Sequence, residues 1–163
     1  MDSERLIVGM GEYVIRGEGH KLMCVGIGSC IATVIYDSEK KIYSMGHIML
    51  PLHAEIPRIT ANPNKYADIC IPNMVKDMVE EGANKTRLKA KIAGGAHMFP
   101  SLQESEKSIN VKNANAVRQV LKESGIELLS EDVGGSYGRT IILDTSTEEC
   151  KIILKAIGKE YTL

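Results

Sequence analysis

The sequence contains no tryptophan, one phenylalanine (Phe99) and six tyrosines. Proteins that stack nucleic-acid bases or enclose a quaternary ammonium build those sites from several aromatic rings, so this scarcity disfavours both functions. The 20 basic and 21 acidic residues nearly cancel, leaving a net charge of -1. The chain therefore lacks the basic footprint expected of a protein that binds nucleic acid or an anionic membrane.

Long apolar runs are also missing from the sequence. No stretch approaches the roughly 20 consecutive apolar residues that cross a bilayer, and the opening residues MDSERLIVGMGEY do not resemble a signal peptide. We therefore expect a cytoplasmic protein without membrane insertion. In that reducing compartment the four cysteines are expected to be thiols. Their spacing matches neither a CxxC redox motif nor a usual zinc pair; they are Cys24, Cys30, Cys70 and Cys150.

The length and composition predict a single α+β domain over residues 1–163. A chain of this size, 44% hydrophobic, is large enough to fold without a metal or disulfides, and no metal or cofactor is expected. The patterns predict a β-rich domain with a mixed or antiparallel sheet and two main helices on one side. Strands are predicted at 5–15, 21–27, 31–37, 41–50, 87–93, 126–132, 139–144 and 151–157, and helices at 65–82 and 113–124.

Two local features qualify this prediction. Pro72 lies inside the first helical run, so we expect either a kink there or a helix that begins near it. The irregular polar stretches 51–65 and 100–110 are predicted to be surface loops that border a site. Phe99, the sole phenylalanine, is predicted to anchor the core.

A predicted β-hairpin brings a cysteine close to a histidine. If residues 37–40 (DSEK) form the loop, Tyr36 lies opposite Lys41 and Cys30 lies opposite His47. Directly opposed residues share one face of the sheet. A change of one residue in the loop would separate the two side chains onto opposite faces.

This pairing makes Cys30 a candidate nucleophile. An imidazole helps to generate the thiolate that attacks carbonyl groups. The small residues before Cys30 can form a tight turn, in which the main-chain N–H groups of Gly28 and Ser29 would provide an oxyanion hole. Two other interpretations stay open: Cys30 as a buried small hydrophobe, and a zinc site of Cys24, Cys30, His47 and His53, although its separations are atypical.

Several ordered blocks then resemble the CheD family of chemoreceptor glutamine deamidases. The resemblance runs from about residue 6 to about residue 157. The blocks are Gly26-Ile27-Gly28-Ser29-Cys30, Gly46-His47-Ile48-Met49-Leu50-Pro51, Lys65-Tyr66-Ala67-Asp68, Lys91-Ile92-Ala93-Gly94-Gly95-Ala96, Met98-Phe99, Asn113, and Glu131-Asp132-Val133-Gly134-Gly135 with Gly138-Arg139.

The resemblance implies a cysteine hydrolase that converts glutamine side chains of methyl-accepting chemotaxis receptors to glutamate and releases ammonia. Cys30 would be the nucleophile and His47 the general base. A side activity on receptor glutamate methyl esters would follow, because both substrates give the same thioester. The implied partners are the receptors and the CheC phosphatase. Arg58 and Lys65 are candidate contacts to acidic receptor residues, or else solvated charges.

The sequence departs from the family at the position six residues before the nucleophile. Members often carry a threonine there as the third member of the site, whereas this chain has Cys24, and a thiol is a weak hydrogen-bond partner. Asn110 and Lys112 also replace the glycine and arginine of the family's usual IGxRN. An alternative function is therefore a regulatory module that binds receptors or CheC with little turnover.

Overall fold

Two five-stranded sheets and two helices form three layers. The structure is a computed structural model that describes residues 3–163, so residues 1 and 2 of the predicted domain lie outside the described part. The strands are β1 (Glu4–Ile7), β2 (Tyr13–Arg16), β3 (His20–Ile27), β4 (Ile31–Asp37), β5 (Ile42–Ile48), β6 (Lys89–Gly94), β7 (Glu127–Val133), β8 (Arg139–Asp144), β9 (Cys150–Leu154) and β10 (Lys159–Thr162). The helices are α1 (Ala67–Glu80) and α2 (Ile109–Glu123).

The strands are divided between a first sheet, ordered β1-β3-β8-β9-β10, and a second sheet, ordered β2-β5-β4-β6-β7. Both sheets are mixed: β1 is parallel to β3 and β6 is parallel to β7, whereas the other neighbours are antiparallel. The predicted α+β class with two main helices is confirmed. No helix in residues 3–163 is both long and apolar enough to cross a membrane.

The central strand β4 is buried along its whole length because both of its faces are covered. Ile31 and Ile35 pack against α1 and α2 in one core cluster. Ala32 and Val34 point the other way, into the core between the two sheets. A strand covered on both faces is typically an uninterrupted apolar run, as β4 is.

Several predicted boundaries differ from the structure, including the following three. The run 5–15 is two strands in different sheets, separated by a turn in which Gly11 has φ 73° and Gly9 N–H donates to the Glu12 carboxylate at 2.9 Å. Helix α1 begins at Ala67 and contains Pro72 on its exposed side, so a start near Pro72 is wrong. The final predicted strand ends at Leu154, and β10 follows it.

Candidate active site

Cys30 lies where the chain passes from the first sheet to the second. The bend at Gly28–Cys30 connects β3 to β4, and Cys30 directly precedes β4 at the edge of the core between the sheets. It is 9% exposed, so the thiol is largely, but not completely, shielded from solvent. A side chain at such a crossing is held by both sheets and remains close to the surface.

The bend is fixed through its carbonyl groups. The carbonyl oxygens of Gly28 and Cys30 accept hydrogen bonds from the main-chain N–H groups of Ala96 and Gly95, each at 2.9 Å. The Ser29 carbonyl accepts from Asn113 Nδ2 at 3.0 Å. No described residue accepts a hydrogen bond from the N–H groups of Gly28, Ser29 or Cys30. Free main-chain N–H groups beside a thiol are donors of the kind that an oxyanion hole uses.

The register of the β4–β5 hairpin differs by two residues from the predicted one. Asp37 pairs with Ile42 and Ala32 pairs with His47, so the predicted opposition of Cys30 and His47 is wrong. Asp37 stays in the strand because its Oδ1 accepts hydrogen bonds from the N–H groups of Glu39 and Lys40, at 3.1 and 3.2 Å, and closes the turn.

A two-residue shift preserves which face each side chain occupies, because side chains alternate with period two. Cys30 packs in the inter-sheet core with Ala32, the residue opposite His47. Cys30 and His47 are therefore diagonal neighbours on one face, a relation in which Cα atoms lie roughly 7 to 8 Å apart and longer side chains can meet.

A main-chain carbonyl orients the His47 ring. His47 is buried, and its Nδ1 lies 3.0 Å from the Val8 oxygen. A carbonyl oxygen can only accept, so Nδ1 carries a proton. In the neutral form of the ring this tautomer has its lone pair on Nε2, where that nitrogen can act as a base.

Cys24 does not make this hydrogen bond. It lies in β3 opposite Ile141, completely buried between the sheets. Burial, followed by the neighbouring thiols of Cys30 and Cys150, raises the pKa of Cys24 far above its ordinary value. Cys24 is thus a neutral core thiol, and the Val8 carbonyl makes the bond that the family resemblance assigns to position 24. The sequence held no signal for Val8, because a main-chain oxygen is common to all residues.

Burial also raises the pKa of the Cys30 thiol. At neutral pH Cys30 is therefore protonated, since even an ordinary cysteine has a pKa near 8.5. A neutral thiol needs a base that removes its proton as it attacks, and a histidine ring protonated only on Nδ1 has that capacity.

The segment after β6 supports the bend from the other side. A Cβ at Gly28 would lie 2.8 Å from Met98 Cγ, so any larger residue there would require the Met98 side chain to move. Phe99, next to Met98, is 57% exposed, and its predicted place in the core is wrong. Its nonpolar ring instead lies on the surface beside the candidate site.

Arg139 fixes the loop that follows β7. The sequence pattern did not predict this structural role. Its guanidinium donates to the carbonyl oxygens of Asp132 and Gly134 and pairs with the Asp132 carboxylate at 3.2 Å. The loop fixed in this way accepts a hydrogen bond from His97 N–H through the Gly135 carbonyl at 2.8 Å. The sequence signal for this role of Arg139 is its position four residues after the Gly134-Gly135 pair.

The two predicted substrate contacts lie on the loop that follows β5. The Lys65 carbonyl accepts hydrogen bonds from Met49 and Leu50 N–H at 3.0 and 2.8 Å, which places Lys65 beside the end of the His47 strand. Arg58 is exposed, and its main-chain N–H donates to Tyr66 at 3.0 Å. Within the described chain, neither side chain forms an ion pair.

The proposed zinc ligands do not converge. Residues 3–163 contain no group of three or more histidine, cysteine or acidic side chains placed to hold a metal ion. The His53 ring packs edge-on against Tyr66 with centroids 4.9 Å apart. A cysteine and a histidine beside free main-chain donors are instead typical of hydrolases that attack acyl groups with a thiol.

Comparison with known proteins agrees with this class. Residues 49–153 match the family described as CheD chemotactic sensory transduction. A Clostridium botulinum (strain Hall) protein named probable chemoreceptor glutamine deamidase CheD is 43% identical over 159 residues, which cover 97% of this chain and 96% of that protein. A Clostridium kluyveri protein of the same name is 40% identical, covering 97% of this chain and 98% of that protein. The chain belongs to the CheD family.

Among solved structures, the Bacillus licheniformis hypothetical protein YfiH resembles the chain with a TM-score of 0.49 and 14% sequence identity. The likeness covers 80% of this chain and 60% of that one.

Proposed function

We propose that this protein hydrolyses the side-chain amide of glutamine residues on chemotaxis receptors, with Cys30 as the nucleophile and His47 as the general base. The observation that carries the proposal is the shared face of Cys30 and His47 beside three unbonded main-chain N–H groups. The names of its relatives supply the substrate class, chemoreceptor glutamine.

The first half of the reaction forms a thioester. Cys30 Sγ attacks the carboxamide carbon while His47 Nε2 takes the thiol proton. The carbonyl oxygen becomes an oxyanion that accepts hydrogen bonds from the N–H groups of the bend, among them Ser29 and Cys30. The C–N bond then breaks, and His47 returns the proton to the departing ammonia.

The second half regenerates the enzyme. His47 Nε2 removes a proton from water as the water oxygen attacks the thioester carbon. The C–S bond breaks, the proton returns to sulfur, and glutamate is released. A glutamate methyl ester would enter by the same attack with methanol as the leaving group, so a side methylesterase activity forms part of the proposal.

The experiment is incubation of the protein with receptor fragments that contain glutamine, with detection of ammonia and of the amide-to-acid mass change in each peptide. Cys30→Ala and His47→Ala should abolish the reaction. Cys70→Ala is the matched control, because it removes a completely buried thiol from α1, and it should keep the activity. Deamidation that survives Cys30→Ala would refute the nucleophile assignment.

Inactive wild-type protein that still binds the receptor fragments would favour the alternative, a regulatory module with little turnover. Binding to a CheC-type phosphatase and location in the cytoplasm both stay predictions. Titration of this protein with a purified CheC-type phosphatase tests the first of them directly.

Arg58 and Lys65 are our candidates for receptor binding, because their loop adjoins the end of the His47 strand. Exposed ion pairs contribute little individually, so we expect the double alanine variant to raise KM about two- to tenfold with kcat unchanged. Arg16→Ala with Lys40→Ala is the matched control, since both residues are exposed and line a different cleft. An unchanged KM would remove both residues from the substrate site.

A further inference from the structure

We propose that Asn113 is the positioning residue of the oxyanion hole: by holding the Ser29 carbonyl, it directs the Cys30 N–H group toward the substrate oxygen. This inference rests on the proposed function, because it assigns a task within that reaction. Asn113 lies in α2 and donates to main-chain oxygens, so it acts through the main chain and does not touch the reacting atoms.

The side chain of Asn113 joins the two strands that carry the candidate site. It is completely buried, and its Nδ2 lies 3.0 Å from both the Ser29 oxygen and the Met49 oxygen. Ser29 directly precedes the nucleophile, and Met49 follows His47 by two residues. Both hydrogens of one amide group are therefore used to hold the chain next to the nucleophile and next to the base.

Peptide geometry converts the hold on Ser29 into an orientation of Cys30. In a trans peptide group the C=O and the following N–H point in opposite directions, and no cis peptide occurs in the described chain. The Ser29 C=O points at α2, so the Cys30 N–H points away from it. A flip of this peptide group would remove the donor from the site and break the hydrogen bond from Asn113.

The neighbouring peptide groups are held in a related way. The Gly28 carbonyl is bonded to Ala96 N–H, which directs the Ser29 N–H away from that contact. The difference is that main-chain donors hold Gly28 and Cys30, whereas Ser29 depends on a side chain. Asn113 is thus the point at which a substitution can release the bend.

The amide of Asn113 is used only as a donor. Its Oδ1 is buried and has no hydrogen-bond partner among the described residues. An unsatisfied buried acceptor costs about 1 to 3 kcal/mol, so an apolar residue would serve packing alone at least as well. The two donated hydrogen bonds are what an apolar residue lacks.

The test compares kcat, KM and the rate of Cys30 alkylation in Asn113→Ala. Alkylation by iodoacetamide is a displacement at carbon that forms no oxyanion, so it reports access and thiolate formation without the oxyanion hole. We expect kcat for receptor-fragment deamidation to fall about 10- to 100-fold. KM and the alkylation rate, which is followed on the peptide that contains Cys30, should each stay within about threefold of the wild-type value.

Two further variants separate positioning from packing. Asn113→Asp keeps the volume but lacks the NH₂ group, and it should lose at least as much kcat as the alanine variant. Asn110→Ala removes another buried amide of α2, one that donates to the Gly95 carbonyl at 3.0 Å and not to Ser29. Asn110→Ala should lower the melting temperature, but its ratio of kcat to alkylation rate should stay within about threefold of the wild-type ratio.

Each outcome has a defined meaning. If wild-type protein releases no ammonia from any receptor fragment, the proposed function fails, and this inference fails with it. If wild-type protein is active but Asn113→Ala keeps its kcat, the inference alone is overturned. A parallel loss of kcat and alkylation would also overturn it, because that loss indicates a structural role. If Asn113→Ala does not fold, Asn113→Ser, which keeps one donor, should show an intermediate kcat.

Discussion

Replacement of Cys24 by alanine should leave most of the activity intact, although Cys24 occupies the family's third position. The reason is the hydrogen bond from His47 Nδ1 to the Val8 carbonyl, which already fixes the ring and its tautomer. A residue that orients a functional histidine usually contributes 10- to 100-fold, and we expect the Cys24→Ala variant to stay within about threefold of wild type in kcat/KM.

The stability cost of this substitution follows from burial. Cys24 is completely buried between the sheets, and removal of its sulfur is comparable to removal of one buried methyl group, about 0.5 to 1.5 kcal/mol. For a domain of this length, each kcal/mol shifts the melting temperature by about 2 to 4 °C. The melting temperature should therefore fall by about 1 to 6 °C.

The assay is deamidation of a receptor fragment under initial-rate conditions, well below both melting temperatures. Cys24→Thr serves as the comparison, because it introduces the hydroxyl that family members often have. A tenfold or larger loss of kcat/KM in a fully folded Cys24→Ala variant, restored in Cys24→Thr, would refute the assignment of ring orientation to Val8.

Three further predictions concern the thiols, the partly buried Asp37–Arg87 ion pair and a glycine. Burial raises the pKa of Cys70 to about 12 and that of Cys150 to about 11, so the folded chain keeps protons that the unfolded chain loses above about pH 8.5. The free energy of unfolding should therefore fall between pH 8 and 10 in urea titrations, with a smaller slope in Cys70→Ala; an equal slope would contradict this. Burial opposes ionisation of Asp37, but hydrogen bonds from Arg87 and main-chain N–H groups outweigh it and lower the pKa of that carboxyl. Asp37→Asn should reduce the free energy of unfolding by about 2 to 3 kcal/mol at pH 7. In an acid titration, the difference between wild type and variant should shrink below about pH 4, because the wild-type contribution is lost as pH falls through the folded pKa of Asp37. A Cβ at Gly94, where φ is 126°, would collide with the Cys30 carbonyl oxygen. Gly94→Ala should therefore lower kcat more than Gly125→Ala, because a Cβ at Gly125 has no neighbouring atom within 4 Å. Equal effects of the two substitutions on kcat would exclude a role for the contact between Gly94 and Cys30.

The local pattern predicted the regular elements because it depends on neighbouring residues. Strand 139–144 and the buried run 31–37 match β8 and β4, since alternation and apolar content are read directly from the sequence. Predicted element boundaries were wrong where contacts with residues distant in the sequence determine where an element begins or ends. Helix α2 begins at Ile109, four residues before the predicted start, so Asn113 lies in the second turn and not at the start of the helix, with its amide toward the Ser29 bend.

The sequence by itself predicted that Cys30 and His47, our candidates for nucleophile and base, share one face, because side-chain alternation has period two and survives a two-residue error in register. It could not place the strands in two sheets, since two separate sheets and one continuous sheet present the same local pattern. Only the tertiary structure decided that Val8 orients His47 and that Asn113 holds Ser29. Both contacts end on main-chain carbonyl oxygens, which every residue has, so their partners are selected by the path of the chain in space.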